Sequence, residues 1–120
     1  MPLFRLWIAL GAINGASAVG FAAYAAHAAI EPARARALAS AVQMQGWHAL
    51  ALVACGLWAA TAGWPAHLAA TLFLVGILLF CGAVYVPLFG GPGLGMVAPV
   101  GGTLLIAAWV VLAFSAFKEP

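Results

Sequence analysis

Carboxylates are almost absent from this sequence. The chain has no aspartate, and Glu31 and Glu119 are its only glutamates in 120 residues. No Ser-His-Asp set and no working pair of carboxylates can be assembled from them, which excludes those forms of nucleophilic and acid–base catalysis. The sequence therefore predicts no catalytic residues. Cysteine is scarce as well: Cys55 and Cys81 both fall inside apolar runs without zinc-type spacing. They read as small buried hydrophobes, and neither a disulfide nor a metal site is expected. The glycine-rich stretch at 89–96 has no lysine and no flanking βα pattern, so it is not a phosphate loop. A net charge of +2, built from four basic and two acidic residues, is too sparse for a nucleic-acid surface.

What the chain has instead is hydrocarbon. Hydrophobic residues make up 68% and charged residues 5%, with mean hydropathy +1.17, where a soluble domain carries about 25% charged residues. The charges are also segregated. Twenty-five uncharged residues separate Arg5 from Glu31, and 81 separate Arg36 from Lys118. At about 20 residues per span, the first block holds one transmembrane helix and the second holds three. The expected architecture is all-α: a single domain over 1–120, a polytopic bundle of four transmembrane helices at about 3–29, 40–62, 66–88 and 97–117. A short interfacial helix is expected between spans one and two, opened by Glu31 and Pro32, because Pro suits the first turn and an acid suits the positive end of the helix dipole. The apolar run after Arg5 continues to Ala29 past a cleavage-like Ala16-Ser17-Ala18, so it reads as an uncleaved first span. Lys118, Glu119 and Pro120 are expected in water. Arg5 and Lys118 on one side nearly balance Arg34 and Arg36 on the other, with a slight lean towards termini in the cytoplasm.

Polar side chains are few inside the spans, and each needs a partner there. Asn14 belongs to a polar stripe of span one, and His27 sits near its exit. Gln45 and His48 are three residues apart on one face of span two, and Tyr85 closes span three. These five form the expected intramembrane cluster, with His27 and His48 at the same side of the bilayer and able to meet or to share Gln45. His67 reads as a solvated histidine at the water interface. Gly11 and Gly15 make a G-x-x-x-G pair for close helix approach, and Gly82, Pro99, Gly101 and Gly102 are expected at further packing points.

Four segments carry a family resemblance. They are Ala25-Ala26-His27-Ala28, Met44-Gln45-Gly46-Trp47-His48-Ala49-Leu50-Ala51-Leu52, Phe80-Cys81-Gly82-Ala83-Val84-Tyr85 and Ala98-Pro99-Val100-Gly101-Gly102. In order and spacing the chain resembles domain of unknown function 423, a family of small four-helix membrane proteins that includes transmembrane protein 256 of animals. That family reads G-A-H-A, Y-Q-x-x-H-A-L-A-L, F-S-G-S-x-Y and T-P-x-G-G at these places. Met44, Cys81, Ala83 and Ala98 depart from it, each removing a hydroxyl. The resemblance implies a four-helix fold and a membrane location and brings no established reaction.

Three readings of the polar cluster stay open at this point. It can be structural glue between helices, with the protein acting as an accessory component of a membrane assembly or as a homo-oligomer. It can be a proton, ion or small-molecule path through His27, Gln45 and His48, although no carboxylate lies in any span. It can hold haem or copper on the two histidines, although neither has a carboxylate behind it. The expectation is the first, with no cofactor and no metal, the lipid bilayer as solvent, no nucleic-acid partner, and a place in the bacterial inner membrane.

Overall fold

The computed structural model describes residues 1–117, which form four helices: α1 (Leu3–His27), α2 (Pro32–Ala62), α3 (Trp64–Leu88) and α4 (Val97–Ser115). The placing of Lys118, Glu119 and Pro120 in water lies outside the described residues. Glu31 caps α2, its carboxylate accepting from the backbone N–H groups of Ala33 and Arg34 at 3.1 and 3.3 Å. Pro32 takes the first turn, where its missing N–H leaves nothing unpaired.

The separate interfacial helix is corrected here. From Pro32 the chain continues as one helix of 31 residues to Ala62, with no break near Ser40. The physical reason is composition: residues 33–45 contain neither glycine nor proline and are rich in alanine, the strongest helix former. One serine offers too little to interrupt that propensity.

Short connections make the helices antiparallel neighbours. Gly63 alone joins α2 to α3, with φ of 73°, a backbone conformation that a side chain would strain. Phe4 and Ile8 of α1 lie against Gly56 of α2, while Gly11 lies against Ala49 and Val53, so the two helices run in opposite directions. Along α3 and α4 the same holds: Gly76 meets Leu105 and Gly101, and Gly101 meets Phe80. α1 packs on α2, α2 on α3 and α3 on α4, whereas α1 and α3 touch only lightly. The bundle measures 51 × 25 × 20 Å.

Its interior and exterior are the reverse of a soluble bundle. Leu50 and Ile106 are 72% and 68% exposed, yet Gln45 and His48 are 5% and 3% exposed. The remaining interior is made of small residues (Ala66, Ala69, Ala70, Ala108) around Leu52, Phe73 and Ile77. In water this arrangement loses twice, by wetting leucine and by drying amides; in lipid both choices are favourable. α1, α3 and α4 are each long and apolar enough to cross a membrane. This is a membrane protein.

Candidate functional site

Three helices meet through their amides and a phenol. Asn14 precedes the end of α1 by as many residues as Gln45 follows the start of α2, so antiparallel packing brings them level. Gln45 Nε2 donates to Asn14 Oδ1 at 3.1 Å, and Tyr85 Oη donates to Gln45 Oε1 at 2.8 Å. Asn14 Nδ2 donates back to the Leu10 carbonyl at 2.9 Å. That last bond orients the whole chain of groups. A backbone carbonyl can only accept, so Asn14 turns its nitrogen to Leu10 and its oxygen to Gln45; Gln45 must then offer nitrogen to Asn14 and oxygen to Tyr85. The Tyr85 ring is held in place by stacking on Phe21, with centroids 3.9 Å apart and planes 15° from parallel.

His48 belongs to a second, separate group. Its Nδ1 lies 2.6 Å from the Met44 carbonyl, one turn back on α2, and its Nε2 lies 3.1 Å from the Trp109 indole nitrogen of α4. Because the carbonyl only accepts, Nδ1 carries the hydrogen; Nε2 is then bare and takes the indole N–H. Phe73 closes the triangle, edge-on to Trp109 with centroids 4.9 Å apart. Both ring nitrogens of His48 are thus occupied.

The expected meeting of His27 with His48 does not occur. His27 is the last residue of α1 and is exposed, whereas His48 lies about 24 Å along α2 from Pro32. The sequence-based depth took span two to begin near Ser40, and the unbroken α2 moves His48 two turns deeper. His67 is a further correction: its Nδ1 accepts the Trp7 indole N–H at 2.9 Å, tying α3 to α1. A third indole, Trp58, donates to Ser115 Oγ at 2.9 Å, joining α2 to α4.

Sequence reasoning passed over these tryptophan bonds. The usable signal was that a buried indole N–H requires an acceptor, and that Trp7 and His67 both lie in the first turns of neighbouring helices.

Packing points divide in the same way. A Cβ on Gly11 would sit 2.6 Å from Val53 Cγ2, and one on Gly101 would meet the Phe80 backbone nitrogen. A Cβ on Gly15 would meet only the Ala49 methyl at 4.0 Å, one on Gly102 would lie 3.7 Å from the Phe80 ring, and one on Gly82 would face open space. Pro99 is exposed in the first turn of α4, its carbonyl accepting from Thr103 Oγ1 at 2.8 Å. The close approaches that the sequence reading missed are at Gly56 and Gly76, where an added Cβ would sit 2.7 Å from the Ile8 and Leu105 side chains respectively.

The pattern of a family described as "Protein of unknown function (DUF423)" matches residues 21–102, which hold Gln45, His48 and Tyr85. The chain belongs to the DUF423 family. A "UPF0382 membrane protein" of Haemophilus influenzae is 33% identical over 117 residues, covering 94% of each chain. One from Staphylococcus aureus is 33% identical over 118 residues, covering 95% of this chain and 97% of its own. The "UPF0382 membrane protein YwdK" of Bacillus subtilis is 32% identical over 127 residues, covering 95% and 98%. No solved structure matches the chain.

In this DUF423 chain the departure at Cys81 has a structural reading. Its thiol donates to the Ala41 carbonyl at 3.4 Å, so sulfur keeps the donor that the serine of the sequence pattern would supply. Among the described residues no group of three His, Cys, Asp or Glu side chains converges as metal ligands would. The arrangement as a whole can fasten helices and can offer amide hydrogens.

Proposed function

We propose that this DUF423 chain is a four-span, non-catalytic component of a membrane assembly or a homo-oligomer, held in the bacterial inner membrane. The observation that carries the reading is the commitment of the polar groups along the helix contacts: both nitrogens of His48, both ends of Gln45 and the indole N–H groups of Trp7, Trp58 and Trp109 are all engaged in hydrogen bonds, nearly all between helices. Such groups specify which helices pack together, each contributing about 0.6 kcal/mol and up to about 1.7 kcal/mol. Proton carriage instead needs a site that gains and loses a proton, and ligation of haem or copper needs a bare imidazole nitrogen.

The fourth span is α2. It is about 46 Å long, paired along its length with α1 and α3, and connected to them by residues 28–31 and by Gly63 alone. Helical spans fit an inner membrane, because single-chain outer-membrane proteins are closed barrels. Connections this short leave the intramembrane faces as the surface through which a partner would be held.

The test is mass spectrometry of the protein released intact from nanodiscs. A second copy or another protein at fixed stoichiometry is expected, and a bare monomer throughout would overturn the assembly reading. The transport alternative is tested in liposomes: proton flux that is lost in His48→Ala while thermal stability is unchanged would replace the structural reading with a path.

A further inference from the structure

The light contact between α1 and α3 leaves a lateral groove of about 390 Å³, lined by Asn14, Phe21, Gln45, Leu78, Gly82 and Tyr85 among others. Its walls are mostly apolar and none of its lining residues is charged; Ser17 and Cys81 spend their hydrogens on the Ile13 and Ala41 carbonyls, and the other polar groups, Asn14, Gln45 and Tyr85, tie α1, α2 and α3 together. The hydrogen count of those groups is uneven. Each primary amide carries two N–H donors, and Asn14 and Gln45 each spend one. Two amide hydrogens are therefore left over among the described residues, on side chains 8% and 5% exposed, beside a cavity large enough for a ring. A ligand that complements them brings acceptors and no charge.

Depth narrows the source of that acceptor. Asn14 lies about 17 Å from the start of α1 and about 20 Å from its end, near the middle of a hydrocarbon layer about 30 Å thick. The ester carbonyls of phospholipids lie at the edges of that layer, so they do not reach the amides without sinking some 15 Å. A carbonyl compound dissolved in the hydrocarbon itself does. The stacked rings of Phe21 and Tyr85 add an aromatic wall suited to a flat molecule.

We infer that this groove binds a lipid-soluble carbonyl ring of the quinone class, its oxygen accepting the spare amide hydrogens of Asn14 and Gln45. The binding is independent of what the bundle assembles with.

Gly82 provides the test, because it lines the groove and a Cβ added there meets nothing within 4 Å. Gly82→Leu puts a branched side chain into the cavity while keeping Asn14, Gln45 and Tyr85 themselves unchanged. The protein in nanodiscs is titrated with a decyl-benzoquinone, and empty nanodiscs measure simple partitioning. Saturable binding stoichiometric with the chain is expected, weakened at least about tenfold in Gly82→Leu with the melting temperature retained. Gly46→Leu, at a glycine equally open but outside the groove, is expected to bind as the native chain does. Should Gly82→Leu lose its fold, Ser17→Leu fills the groove from the α1 wall and carries the same expectation. No saturable uptake above partitioning, equal binding by the groove-filled variant, or retention of phospholipid alone would each overturn the inference.

Discussion

Gln45 is the residue on which three helices depend, since it accepts from Tyr85 and donates to Asn14. Gln45→Leu keeps the volume and removes both roles, leaving the Asn14 oxygen and the Tyr85 hydroxyl buried beside an apolar side chain. Two lost interhelical bonds and two stranded groups should cost about 2 to 3 kcal/mol. Tyr85→Phe loses one bond, keeps the stack on Phe21, and should cost about 0.5 to 1 kcal/mol. Unfolding of both variants in detergent micelles checks the order; equal losses would mean that Gln45 acts through packing alone. The polar residues themselves were readable in the sequence, because a glutamine and a histidine within an apolar run announce themselves. Their partners were not, because partnership depends on helix depth and rotation. An eight-residue shift in where α2 starts separates His27 from His48 and leaves Trp109 as the acceptor's true donor.

Among the elements, the helix pairs rest on glycines that admit a neighbouring backbone. Gly11 and Gly56 serve α1 and α2, and Gly76 and Gly101 serve α3 and α4. Gly101→Val would drive its Cβ into the backbone of Phe80, so α4 must move off α3; a loss of more than about 2 kcal/mol is expected. Gly46→Ala places a methyl in open space on α2 and should be neutral or stabilising by up to about 1 kcal/mol. Thermal melts of the two variants check the contrast, and comparable losses would show that the Gly101 approach is not what limits packing. Helical type was legible from composition and charge spacing alone, whereas the helix count was one too high, because the expected interfacial helix is the first part of α2. Which glycines are used was not: Gly11 and Gly15 look equivalent in the G-x-x-x-G pair, yet only Gly11 faces the α2 backbone closely.

For the whole molecule, the decisive property is the exchange of inside and outside, and it bears directly on whether α2 crosses the bilayer. Three helices meet the length and apolarity needed for a span, whereas α2 carries Arg34, Arg36, Gln43, Gln45 and His48 along its course. Packing supplies what hydropathy withholds. The charged turns occupy only the first part of a helix about 46 Å long, which exceeds the hydrocarbon thickness by about 16 Å, so they extend beyond it. Gln45 and His48 are buried against Asn14 of α1, Tyr85 of α3 and Trp109 of α4, and Gln43 is exposed. Single cysteines at Ala33 and Thr61, both exposed and at opposite ends of α2, test this in a background with Cys55 and Cys81 replaced. A membrane-impermeant maleimide should label Ala33→Cys in intact spheroplasts and Thr61→Cys only after permeabilisation. That result would make α2 a span and put the α1 start, which lies at the Thr61 end, in the cytoplasm. The reverse pattern would keep the span and invert the orientation, and labelling of both positions from one side would remove α2 from the bilayer and with it the four-span bundle.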